Sequence, residues 1–144
     1  MPTHSEKRYL AYTPKQIFSL VSDIEKYPEF LPWCYDLKTN SRTENIIEAD
    51  MIIGFKLIRE RFTTRVKLAP HDLIKVEYIN GPFKYLNNSW NFAPSGRHGC
   101  MVDFFVEFEF KSIFLGRVMD LIFSEAMSKM VNAFEVRAEE LYKN

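Results

Sequence analysis

The chain has 144 residues, 47% hydrophobic and 26% charged, and its aromatic share of 15% includes 13 Phe; this is the size and mix of one globular domain with a core of its own. Lys+Arg and Asp+Glu balance at 19 each, so no overall field draws the protein to DNA or to an anionic surface, and such a partner would need a local patch. Two cysteines without a CxxC, beside three His, make neither a zinc site nor a disulfide scaffold and fit a cytoplasmic setting; the polar N-terminus and the lack of a ~20-residue apolar run predict neither a signal peptide nor a membrane span.

"SEKRYLAY" has strand character. In "TPKQIFSLVSDI", Thr13 is an N-cap, Pro14 takes the first helical position and Gln16 completes a capping box. Ile17, Leu20, Val21 and Ile24 follow at helical spacing, which predicts a short amphipathic helix. "YPEFLPWC" is next, too rich in proline for a regular element. It reads as a turn of helix or an irregular knee. After it the apolar period becomes two. One face collects Ala49, Met51, Ile53, Phe55 and Leu57, and the next run collects Phe62, Thr64, Val66 and Leu68 against Arg61, Thr63, Arg65 and Lys67. Three further runs follow, "LIKVEYIN", "YLNNSWNF" and "MVDFFVEFEF", separated by "APHD", "NGPF" and "APSGRHG". Alternation broken by short turns predicts an antiparallel meander with one wet face.

From Ser112 the pattern is helical to the end of the chain. Met119, Phe123, Met127, Met130, Phe134 and Leu141 lie near one apolar stripe, which Ile122, Ala126 and Ala133 widen. A helix of ~30 residues spans ~45 Å. The economical packing of these one-faced elements is an α+β fold in which a curved antiparallel sheet wraps around the long helix. The space between sheet and helix is then a natural apolar cavity.

Four segments in this order, "FSLVSDIEKYPEFLPWC", "MIIGFKLIRERFTTRV", "VEYINGPFKYLNNSWNF" and "VDFFVEFEFKS", resemble the coenzyme Q-binding START-like family. That family sits in the polyketide cyclase/dehydrase-like lipid-transport group and has a bacterial branch named for a ribosome-association toxin. The resemblance runs from about Lys7 to Tyr142 and is strongest to alphaproteobacterial members. It implies one START-like, helix-grip domain over residues 1–144. The implied protein needs no cofactor, takes ubiquinone as a bound ligand and supports respiration as a carrier without catalysing a reaction, peripheral to the inner membrane at most. The alternative it implies is a factor that binds the large (50S) ribosomal subunit and blocks subunit association. A weaker one is a polyketide cyclase or dehydrase.

The candidate cavity residues are the inward members of these runs: Met51, Phe55, Phe62, Thr64, Val66, Tyr78, Asn88, Trp90, Phe104, Phe108, Met119, Phe123, Met127 and Met130. Periodicity alone gives any one of them an ordinary core position. As a set they favour a cavity, because methionine suits a surface that repacks around a flexible chain. Thr64, Asn88 and Tyr78 are the polar candidates for a quinone carbonyl, and Trp90 for stacking on the ring. In the knee, Tyr27, Phe30 and Trp33 recur every third residue. Phe30, Leu31 and Trp33 are expected to form the cavity mouth, or else to plug the end of the core.

Arg59, Arg61, Arg65 and Lys67 make an outward basic stripe. It is a candidate for RNA or lipid phosphates, against simple pairing with Glu48, Asp50 and Glu77. No Ser-His-Asp, Cys-His or HExxH spacing occurs, and no catalytic residue is assigned. A cyclase would rest on Tyr78 alone. The run "IFLGRVMDLIF" is apolar on both faces, so it is expected to be buried rather than to touch a bilayer.

Overall fold

The computed structural model describes residues 3–55 and 58–143, without the side chain of Phe55. Strand β1 (Thr3–Leu10) leads into helix α1 (Pro14–Ser22), a 3-10 turn (Ile24–Lys26) and a single helical turn α2 (Tyr27–Phe30). Strands β2 (Cys34–Arg42), β3 (Ile46–Phe55), β4 (Ile58–Ala69), β5 (Leu73–Asn80), β6 (Phe83–Ser95) and β7 (Gly99–Phe110) follow, and helix α3 (Ile113–Tyr142) closes the chain. One seven-stranded sheet has the order β1-β7-β6-β5-β4-β3-β2. All of its pairings are antiparallel. The meander β2–β7 is therefore extended at its far edge by β1, which reaches β7 through the α1 connection.

The expected cap is present in full. Gln16 N–H donates to Thr13 Oγ1 at 3.1 Å, and Thr13 N–H donates to Gln16 Oε1 at 2.9 Å. Behind it Ile17, Phe18, Leu20 and Val21 are buried. Phe18 sets α1 on the sheet by meeting Phe92 edge-on at 5.9 Å.

β7 alternates buried and half-buried along nearly its whole length, with Val102, Phe104, Val106, Phe108 and Phe110 inward. Strand β2 lacks such alternation. It is an edge strand, largely polar, and two register shifts interrupt its pairing with β3. The period-two pattern does not reveal it.

Helix α3 is 30 residues long with Ser112 as N-cap. Its buried residues are Phe123, Ala126, Val131, Phe134 and Ala138. The expected stripe thus ends one step early: Ala138, four residues after Phe134, carries it, and Leu141 is exposed. A larger correction concerns "IFLGRVMDLIF". Ile113, Phe114 and Leu121 are 77%, 66% and 87% exposed. The sheet covers only one side of this part of the helix, and no described element covers the other.

Antiparallel pairing gathers the starts of β2, β4 and β6 with the ends of β3, β5 and β7. Helix α3 starts at this same end, where Lys111 N–H donates to the Pro82 carbonyl at 2.8 Å. α1 follows β1 at the opposite end and closes it.

Candidate functional site

A cavity of about 260 Å³ lies between the sheet and α3. Every strand from β2 to β7 contributes to its wall, as do the knee and α3. Its closed end is built by Ile24, Ile74, Trp90, Phe104 and Phe134. Trp90 is 5% exposed there, with Phe104 and Phe134 edge-on at 4.6 and 4.9 Å. The open end gathers half-buried residues: Trp33 from the knee, Ile53, Ile58 and Glu60 from the β3–β4 hairpin, and Leu115 and Val118 from α3.

Thirteen of the candidates from sequence stand in this wall: Leu31, Trp33, Met51, Phe62, Thr64, Val66, Asn88, Trp90, Phe104, Phe108, Met119, Met127 and Met130. The side chain of Phe55 lies outside the described residues. Phe30, Tyr78 and Phe123 stand outside the wall. Phe30 packs edge-on against Phe134 at 5.3 Å and lies under the Arg137 guanidinium, so it anchors the knee to α3 instead of forming the mouth. Arg137 also pairs with Glu29 at 3.0 Å. The hydroxyl of Tyr78 accepts the Phe83 N–H at 3.1 Å, tying off the β5–β6 turn, and its ring meets Phe83 edge-on. It does not line the cavity. Phe123 is core, edge-on to Phe108 at 5.3 Å and near the His4 ring.

Sequence reasoning missed other wall residues. Pro32, Cys34 and Leu37 belong to the irregular knee and the unrecognised β2. Gly54 has no side chain to signal a place in a wall. Val118 falls beside the predicted stripe, which Ile122 and Ala126, both in the wall, already widen.

The wall is almost wholly apolar, which makes its few polar groups informative. Thr64 is 5% exposed and is the sole buried polar residue among the described ones. Its side chain stands in the cavity wall. Asn88, on β6, spends one N–H on the Phe105 carbonyl at 2.8 Å, which leaves its second N–H and its carbonyl. Register relates the pair: Val66 faces Val76 and Val76 faces Asn88, while Thr64 is two residues along β4. Two strand spacings and two residue rises put their backbones ~12 Å apart. Burial, assisted by the neighbouring Asp36, pushes the Cys34 thiol up to about 11. The thiol therefore stays neutral and weakly nucleophilic at the cavity wall.

The basic stripe of β4 is exposed but largely answered. Arg65 pairs with Glu48 at 3.7 Å and Lys67 with Glu77 at 3.2 Å. Arg61 stands near Asp50, whose carboxyl is held low first by the Thr63 hydroxyl at 2.5 Å. The Arg59 guanidinium lies 3.8 Å from the Tyr35 ring centroid.

Residues 10–135 match the family described as polyketide cyclase / dehydrase and lipid transport. The ribosome association toxin RatA of Rickettsia prowazekii is 35% identical over 99% of this chain and all of its own length. The mitochondrial coenzyme Q-binding protein COQ10 of Drosophila melanogaster is 36% identical over 93% of this chain, which spans 58% of that protein. The solution structure of the 18 kDa protein CC1736 from Caulobacter crescentus is 38% identical, with full coverage of both chains and a TM-score of 0.80. The Zhui aromatase/cyclase from Streptomyces superposes with a TM-score of 0.84 over 96% of this chain and 93% of its own, at 10% identity, which is a likeness of fold alone. The helix-grip architecture and the match over most of the chain agree, and the chain belongs to the polyketide cyclase / dehydrase and lipid transport family.

Proposed function

We propose that the protein binds a ubiquinone-type polyprenyl lipid between sheet and helix and carries it without transforming it. The observation that supports this most is the apolar cavity with Thr64, the sole buried polar residue among the described ones, in its wall. Apolar contact at ~25 cal/mol per Å² holds the first part of the tail. Thr64 O–H and the second N–H of Asn88 donate to the carbonyls of the head. The neutral Cys34 thiol leaves such an electrophilic ring unattacked. The coenzyme Q-binding relative supports the same ligand class.

The test is mass spectrometry of organic extracts from protein purified out of quinone-producing cells, with a fluorescence titration using added ubiquinone. A co-purified quinone and saturable quenching of Trp33 and Trp90 are expected. Quinone-free preparations that also fail to bind the added compound would end this reading.

A second reading is association with the large ribosomal subunit. Relatives named for that property, matched over 99% of this chain, favour it. It requires salt-sensitive cosedimentation with the subunit. Arg61 and Arg65 are the contacts to reverse in charge, and cosedimentation that survives Arg61→Glu with Arg65→Glu removes the β4 stripe from this role.

A further inference from the structure

We infer that the first three turns of α3 are a docking surface for an anionic phospholipid bilayer, laid against the membrane beside the open end of the cavity. Three large apolar side chains there, Ile113, Phe114 and Leu121, are the most exposed of the large hydrophobic residues described. At 100° per residue, Leu121, Phe114, Val118, Ile122, Leu115 and Met119 follow one another around the helix as an unbroken apolar arc. The last four of them line the cavity, so the exposed face and the cavity wall are one continuous surface. A lipid leaving a bilayer along this arc would never cross a polar rim.

Charge complementarity selects the occupant. Lys111 and Arg117 are exposed beside the patch, and neither enters an ion pair among the described residues. The acidic Glu109 nearby is already paired with Lys84 at 3.7 Å, which leaves Asp120 as the only acid on this stretch of helix. No acidic residue occupies the first turn of α3, so its positive end is also open to phosphate. The helix is not long and apolar enough to cross a membrane. A one-sided apolar face flanked by cations lies in the interface instead. From the proposed function this takes only that the cargo is a membrane lipid.

Flotation with quinone-free vesicles tests it, comparing phosphatidylcholine alone with phosphatidylcholine containing 30% phosphatidylglycerol. Wild-type protein should float with the anionic vesicles and lose about tenfold in partitioning without the anionic lipid or in high salt. Phe114→Asn with Leu121→Asn should lower vesicle binding by at least about tenfold and leave quinone binding in detergent unchanged, since neither residue lines the cavity. Arg117→Glu should weaken only the anionic preference. The inference is overturned if wild-type protein floats with neither vesicle, or if the double variant floats like wild type. It is overturned equally if the patch proves to join two copies of the chain in sedimentation, or to hold the ribosomal subunit, with no vesicle binding. Vesicle binding without quinone binding would sink the proposed cargo and leave the docking surface standing.

Discussion

The backbone N–H of Gly54 donates to the carbonyl of Trp33 at 2.9 Å, across the open end of the cavity. Trp33 holds a left-handed backbone with φ 65°, a conformation that costs a non-glycine residue of order 1–3 kcal/mol and that tends to occur at functional sites. The register shift between Cys34 and Asp36 follows at once. Together they aim the indole at the cavity, which regular strand geometry would not.

Gly54 is needed at this contact. A Cβ there would lie 2.7 Å from the Ile58 carbonyl oxygen and 2.7 Å from two atoms of the Arg59 side chain. The arginine can swing away, but the carbonyl belongs to the paired backbone of β4. Gly54→Ala should therefore destabilise the fold by about 1–3 kcal/mol. The check is a urea titration in which the midpoint falls and the slope is unchanged. A midpoint equal to wild type would show that the hairpin gives way freely.

Thr64→Val separates ligand binding from folding. The substitution keeps shape and removes the hydroxyl of a buried residue in an apolar wall. Replacing a hydroxyl by a methyl group in an apolar wall should leave stability unchanged or raise it by about 1 kcal/mol. Losing a donor to the head group should weaken quinone binding by about 1 kcal/mol, or about fivefold. Opposite signs in the two measurements are the signature. A fall in stability with unaltered affinity would make Thr64 a structural residue.

Much of this fold was legible because local and tertiary demands coincide. Thr13, Pro14 and Gln16 satisfy the α1 cap by themselves, and the alternation in β7 follows from one wet and one buried face. Legibility failed where a neighbour decides. In "CYDLKTNSR" only Leu37 and Thr39 alternate with exposed neighbours, since β2 is paired along one side and largely exposed. Phe30 and Tyr78 have the composition of cavity residues, yet one is held by Phe134 and Arg137 and the other by the Phe83 N–H. Ile113, Phe114 and Leu121 read as core because apolar residues on both helix faces usually mean burial. Only the one-sided reach of the sheet shows otherwise.

Alkaline pH should unfold the protein in a defined window. Burial, the largest cause in each case, raises Cys34 to about 11 and also moves Tyr27, Cys100 and Tyr142 upward. An unfolded thiol ionises at about 8.5. A group raised on folding contributes fully below its unfolded value and loses that contribution as pH climbs through its folded one. Stability should accordingly fall between about pH 8.5 and 11, by up to about 1.4 kcal/mol per pH unit for each proton involved. Cys34→Val should make that fall shallower in urea midpoints taken across the window. An unchanged slope would remove the thiol from the transition.

Cavity volume sets an expectation for tail length. About 260 Å³ lies just below the ~300–1,000 Å³ usual for small-molecule pockets. It takes a quinone head with the first isoprene units and leaves the remaining tail outside, in detergent or in the bilayer. Each buried methylene contributes about 0.8 kcal/mol, so every unit that enters the cavity should tighten binding by more than about tenfold. Units beyond the open end have no wall to meet and should add little. Titrating a series of ubiquinones of increasing tail length, at fixed detergent concentration, should therefore give a steep rise in affinity followed by a plateau. A rise that continues undiminished to the longest tails would mean that sheet and helix part further than this cavity shows, and the head-plus-short-tail assignment would fall.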